Sequence, residues 1–254
     1  CLAARWVEEC MWSYRRFFNV PAEVVKASSW LVFEGLDLVA TIVLNGQEIA
    51  KHNNSFYPCR IDVTGKLKAG RNLVTVHLDG GLFYAAEKPV EGWGVGPDAK
   101  LHKRNWLRKP QCQFSWDWST RLVNVGITKP VRIEWTTDDV RVDMLVPLAE
   151  LSPDLGTGKV RARLFAEGLG KKPVKGTLTV EIPEAGRKVS VPVEIKPGLN
   201  PVEATVEVTN PELWWPVGHG RQARYTVKAS LSVGGHKIGE RKARVGFRHV
   251  RVNQ

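Results

Sequence analysis

The chain has 254 residues, room for one large domain or two ordinary ones, and its 43% hydrophobic and 25% charged residues are a globular balance. No apolar run reaches the length needed to cross a bilayer, so no membrane partner is expected. The net charge of +11 comes from 18 basic against 14 acidic residues up to Asp138 and 19 against 12 after it.

In the later part basic and apolar residues alternate, as in Lys159-Val160-Arg161-Ala162-Arg163-Leu164. That is how the wet face of a strand reads, and no nucleic-acid motif accompanies the charge, so no nucleic-acid partner is expected. Cys1, Cys10, Cys59 and Cys112 form no C-x-x-C pair and have no regularly spaced His neighbours. Free thiols are therefore expected, with no metal and no other cofactor. The chain opens on Cys1 without an initiator Met or signal-peptide pattern and stops at Val252-Asn253-Gln254, so both ends read as cuts in a longer chain.

Short β-branched and aromatic segments separated by turns dominate the chain, which predicts an all-β protein. Residues 13–20, 30–34, 39–44 and 57–63 read as strands, and Asn45-Gly46 predicts a two-residue hairpin because both residues tolerate positive φ. Asn45, Gly46 and Asp37 are assigned to the fold on this reading. A turn at 69–72 leads into a strand over 73–78. From about 82 to 109 the pattern breaks into Gly, Pro, Trp and charged residues, a length typical of functional loops. Gly92, Gly94 and Gly96 lack the strand-to-helix setting of a phosphate loop, so nucleotide binding is not indicated.

Strand character returns at 112–118 and 130–136, and Thr137-Asp138-Asp139 reads as a join between domains, 1–137 and 138–254. Seven further strand-like segments follow, at 140–148, 159–166, 174–182, 188–195, 202–208, 224–233 and 237–245. Seven short strands in that span suit an immunoglobulin-like sandwich without its disulfide. Trp214 and Trp215, bracketed by Pro211 and Pro216, are expected to face opposite sides, with one indole buried in the sandwich.

Eight of the ten Trp lie at or before Trp135, and Trp93, Trp106, Trp116 and Trp118 lie on or just after the long loop. Indoles beside polar loop residues are either core or a stacking surface for sugar rings. If residues 114–118 are extended, Trp116 and Trp118 share one face and Asp117 the other. A carboxylate so placed needs a cation, donors or ligand hydroxyls, and Arg108 and Lys109 are the nearest basic candidates. Two uses fit this pattern: an internal Asp-to-Arg bridge, or a sugar-binding carboxylate with an indole wall.

Arg108, Lys109, Gln111, Phe114, Trp116, Asp117 and Trp118 match the R-K-x-Q-x-x-F-G-W-D-W segment of the β-mannosidase branch of glycoside hydrolase family 2, which this chain resembles. Further likeness lies in Phe33-Glu34-Gly35-Leu36-Asp37, Leu44-Asn45-Gly46, Asp62-Val63-Thr64 and Gly70-Arg71-Asn72-Leu73. It continues in Pro211-Glu212-Leu213-Trp214-Trp215-Pro216 and Val245-Gly246-Phe247-Arg248. The resemblance implies a jelly-roll sugar-binding domain, its opening missing before Cys1, followed by an immunoglobulin-like β-sandwich. It implies a parent that is a retaining exo-glycosidase removing terminal β-D-mannose, with both catalytic carboxylates in a barrel beyond Gln254. No catalytic residue is expected in this chain, which alone should be inactive. Its partners would be a β-mannoside and that barrel, and its substrate-binding residues Trp116, Asp117, Arg108 and Lys109. An independent carbohydrate-binding module, or a basic nucleic-acid-binding protein, is the alternative.

Four positions depart from the family pattern. Ser115 stands where Gly is usual, Ser119-Thr120 replaces Gly-Pro, and Thr128 replaces an aromatic. If position 115 needs positive φ, its Cβ affects the pose of Asp117.

Overall fold

A computed structural model describes residues 2–89 and 103–250. Trp93 and the glycines Gly92, Gly94 and Gly96 lie outside the described residues, as do Cys1 and the last four positions. The chain forms two compact units, residues 1–137 and 138–254.

Unit 1 is a jelly-roll sandwich. Its strands are β1 (Trp12–Val20), β2 (Ser28–Phe33), β3 (Leu36–Asp37), β4 (Val39–Leu44), β5 (Gln47–His52), β6 (Cys59–Asp62), β7 (Gly70–Asp79), β8 (Gly126–Ile127) and β9 (Val131–Thr136). The helices α1 (Ala22–Val25) and α2 (Leu82–Ala86) are single turns. One sheet has the order β1-β7-β4-β5, a second β6-β2-β9, and β3 pairs with β8. Period-2 patterning aims the inner faces at one core: Ala40, Ile42 and Leu44 of β4 are buried while Val39, Thr41 and Val43 are half-buried. They meet Val74, Val76 and Leu78 of β7 and Leu31 and Phe33 of β2. Each large aliphatic or aromatic side chain so buried contributes about 1.5–3 kcal/mol.

The β4–β5 hairpin has the two-residue turn read from the sequence, with Leu44 opposite Gln47 and φ of +52° at Asn45 and +88° at Gly46. Asn45 also works sideways. Its Oδ1 accepts from Leu73 N at 3.0 Å and its Nδ2 donates to Asn72 Oδ1 at 2.8 Å, so the turn pins β7 as well as closing the hairpin.

Unit 2 is an immunoglobulin-like sandwich of seven strands: β10 (Val140–Leu151), β11 (Thr157–Gly168), β12 (Val174–Ile182), β13 (Arg187–Ile195), β14 (Gly198–Thr209), β15 (Tyr225–Val233) and β16 (His236–Val245). They form sheets β10-β11-β14 and β13-β12-β15-β16, all antiparallel. Along β11 Val160, Ala162 and Leu164 are fully buried, whereas Lys159 and Arg161 are exposed. Lys159 faces Glu207 and Arg163 faces Glu203 across the sheet, so this basic run is a solvated, partly paired strand face.

Neither Trp214 nor Trp215 enters that core. Trp214 is half-buried beneath the Arg248 guanidinium at 4.9 Å and rests on Gly246; Trp215, 47% exposed, rests on Gly220. The missing Cβ atoms at the two glycines provide the seats, and the one indole expected inside the sandwich is not there.

Candidate functional site

The segment that follows Arg108 starts from a buried charge. Lys109 is 1% exposed, and its Nζ lies 2.8 Å from Asp37 Oδ1, itself buried at the end of β3. The ammonium also donates to the carbonyls of Gly80 at 3.0 Å and Asn124 at 2.6 Å. Burial pushes the Lys109 ammonium below its ordinary pKa, while the contact with Asp37 and the charges of Asp79 and Glu8 act in the opposite sense. Asp79, at the end of β7, accepts from Gly81 N at 2.8 Å and Tyr84 N at 3.0 Å, which fixes the start of α2.

Pro110 begins a 3-10 turn, Gln111–Phe114, where the sequence pattern predicts a strand over 112–118. Side chains decide the outcome. Gln111 Nε2 reaches the carbonyls of Arg104, Leu107 and Lys109, and Gln113 Nε2 donates to Asp37 Oδ2 at 3.4 Å while its Oε1 accepts from Asn124 N at 3.0 Å. Such local bonds compete with a sheet ladder, and the period-2 pattern cannot register them. Phe114 packs on a small cluster of Leu38, Ala85 and Leu107.

Beyond it the chain turns outward. Ser115 has φ +90° and ψ 147°, a region that favours glycine, so the position is one where the family's usual Gly has a physical reason. Its Oγ donates to Ser119 O at 3.2 Å. Trp116 and Ser119 then exchange backbone hydrogen bonds of 3.3 and 3.1 Å across a tight turn. Trp116 is 52% and Trp118 86% exposed, and Asp117 between them is exposed too. The expected extended geometry, with the two indoles on one strand face, is replaced by an exposed tip. Among the described residues no hydrogen bond or ion pair engages the Asp117 carboxylate.

Arg108 is exposed and does not bridge to Asp117; its carbonyl accepts from Ser55 N at 3.0 Å and Ser55 Oγ at 3.1 Å. Lys109 points the other way, into the buried pair with Asp37. Of the four residues singled out for sugar binding, Trp116 and Asp117 lie together at the tip, Arg108 at the exposed foot of the segment, and Lys109 beneath it. Asp37, assigned from its sequence to the fold, is the partner of Lys109, and the internal bridge between Asp117 and Arg108, one of the two uses read from the sequence, is not formed. Glu8, which sequence reasoning passed over, is also buried here, and nothing in the spacing distinguishes it from Glu9. Among the described residues no three His, Cys, Asp or Glu side chains gather as a metal site, and Cys10, Cys59 and Cys112 are free thiols.

Comparison with known proteins agrees with this architecture. Residues 2–129 match the family model described as "Glycosyl hydrolase 2 galactose-binding domain-like", and residues 140–248 match "Glycosyl hydrolases family 2". A β-mannosidase B of Aspergillus terreus is 33% identical over 260 residues, covering 100% of this chain and 30% of its own length. The Bos taurus β-mannosidase is 31% identical, covering 98% of this chain and 29% of its own. The crystal structure of a β-D-mannosidase from Dictyoglomus thermophilum superposes with a TM-score of 0.83 at 26% identity, over 98% of this chain and 31% of that one. This chain thus spans about 30% of the length of the curated relatives it matches. Its two sandwiches, and the match of the first to more than half the chain, place it plainly: the chain belongs to glycosyl hydrolase family 2 and is β-mannosidase-like.

Proposed function

We propose that this chain is the N-terminal, non-catalytic part of a retaining exo-β-mannosidase, and that unit 1 shapes the pocket for the terminal β-D-mannose. In this reading the acid and the nucleophile belong to a catalytic barrel elsewhere in the parent protein. Trp116 and Asp117 touch the sugar. An exposed carboxylate accepts hydrogen bonds from hydroxyls, and the adjacent indole offers an apolar face to the ring. Arg108 lies at the rim, and Lys109 serves from below by holding the segment to Asp37.

One observation carries the proposal: Asp117 stands between two exposed indoles on a tip whose base is buried, and its carboxylate has no internal partner among the described residues. A carboxylate that served folding would be expected to have such a partner. The test is Asp117→Asn, made both in this chain and in the full-length gene product. Loss of a contact that strengthens in the transition state predicts a deficit of about 2–4 kcal/mol, a fall in kcat/KM for an aryl β-D-mannoside of roughly 30- to 1,000-fold. Stability of the chain should change by less than about 0.5 kcal/mol, as for an ordinary surface site. A large loss of stability with near-normal kinetics would sink the assignment.

A further inference from the structure

Glu8 lies in the last turn of the 3-10 segment Leu2–Glu9 and is 2% exposed although its neighbour Glu9 is exposed. Both of its oxygens grip one distant segment: Oε1 accepts from Arg121 Nε at 2.9 Å and Oε2 from Val123 N at 3.0 Å. The turn that carries it is itself anchored. Trp12 Nε1 donates to Val7 O at 2.9 Å, and the Trp6 ring packs against that of Trp12 at 5.7 Å. Arg121, so held, sits over the Phe114 ring at 5.7 Å and links the outgoing leg of the tip to the incoming one.

The tip therefore has two clasps. Lys109 and Gln113 bind Asn124 from one side, and Glu8 binds Arg121 and Val123 from the other. Between them few bonds hold the loop: Leu122 N to Gln113 O at 3.0 Å, the Trp116–Ser119 pair, and the Ser115 hydroxyl on Ser119. A buried carboxylate is costly to desolvate, and a position that needed only filling would be served by an apolar side chain. Here one oxygen holds the Arg121 side chain and the other the Val123 backbone, on the leg opposite the strained Ser115.

We propose that Glu8 is a positioning residue for sugar binding, fixing the Arg121–Val123 leg so that Asp117 is presented in one pose, which makes the N-terminal turn part of the site. This rests on Asp117 being a sugar ligand, and the test separates the two claims. In Glu8→Gln the amide would face the Arg121 Nε–H donor or leave Val123 N unpaired.

Hydrogen exchange on this chain should then show the amides of Trp116, Ser119, Leu122 and Val123 exchanging about tenfold faster or more, while those of Ile42 and Val76 change less than about twofold. Arg121→Gln, which keeps the bond to Val123 N, should give a smaller acceleration of the same amides and serves if Glu8→Gln does not fold. In the full-length enzyme Glu8→Gln should lower kcat/KM about tenfold, and Glu8→Gln with Asp117→Asn should be no worse than Asp117→Asn alone, because Glu8 acts through Asp117. Additive losses, or exchange accelerated throughout unit 1, would overturn the positioning role. If Asp117→Asn alone leaves kcat/KM unchanged, the sugar-ligand reading fails and the catalytic part of this proposal with it, whatever the exchange data show.

Discussion

Replacing Lys109 by Met keeps an unbranched side chain of similar length, with sulfur in place of one methylene, and deletes the ammonium. Three contacts go with it, at 2.8 Å to Asp37 Oδ1, 3.0 Å to Gly80 O and 2.6 Å to Asn124 O. Asp37, 3% exposed, would keep only the 3.4 Å bond from Gln113 Nε2, too long to compensate a buried charge. Breaking one side of a buried pair costs about 3–5 kcal/mol. For a unit of this size the midpoint should fall on the order of 10–20 °C. The companion Asp37→Leu with Lys109→Met removes both charges, leaving two carbonyls short of a donor at about 1 kcal/mol each, and should recover at least half of the loss. Tryptophan fluorescence during thermal or urea unfolding reports mainly on this unit, because eight of the ten Trp lie at or before Trp135. A deficit below about 1 kcal/mol in Lys109→Met, or a double variant no better than the single, would refute the claim that this pair anchors the segment.

The same lysine predicts a pH signature. Its folded pKa is lowered by burial, so between that value and the unfolded one, about 10.4, the unfolded chain binds the extra proton and stability rises with pH; the wild-type advantage over Lys109→Met should grow across that alkaline window in paired melts. At Ser115, φ +90° predicts that Ser115→Gly is more stable than Ser115→Ala by about 1–2 kcal/mol, read from urea midpoints, whereas at an ordinary position Ala would win. In unit 2 a Cβ at Gly158 would lie 2.5 Å from Cε1 of the fully buried Phe247, whose ring is also edge-on to Tyr225 at 5.3 Å. Gly158→Ala should therefore cost about 1–3 kcal/mol in the unfolding of unit 2 followed by circular dichroism, and leave the fluorescence transition of unit 1 in place.

What the sequence made legible was local. Asn45-Gly46 is a turn because both backbones need positive φ, and alternation along β4 and β11 marks which side chains reach the core. The site itself depends on partners far apart: Lys109 meets Asp37, and Glu8 meets Val123, across stretches of chain that no periodicity connects. Residues 112–118 show the limit most directly. Their β-rich composition predicts a strand, yet Gln111 and Gln113 spend their amides on nearby carbonyls, on Asp37 and on Asn124, and wind the chain into a 3-10 turn. Trp214 and Trp215 illustrate the same point in unit 2, where Gly246 and Gly220 seat the two indoles although the sequence reading places one of them in the interior.

The choice of partner for Lys109 bears on how the tip can work. A carboxylate offered to a ligand must be unengaged before the ligand arrives and must still be held in one place, since ordering it on binding would consume part of the binding energy. Had Lys109 turned outward to Asp117, every sugar hydroxyl would have to compete with an ammonium for the same oxygens. Instead the ammonium is committed to Asp37 and two carbonyls below, and Asp117 has no protein partner among the described residues. The opposite charges are thus divided between an anchor and a tip. On the proposed reading the buried pair, Gln113 and Glu8 hold the tip, while the exposed carboxylate makes no bond to the protein among the described residues. On that division, substitutions beneath the tip should appear first as lost stability or faster exchange, and Asp117→Asn should appear in catalysis alone.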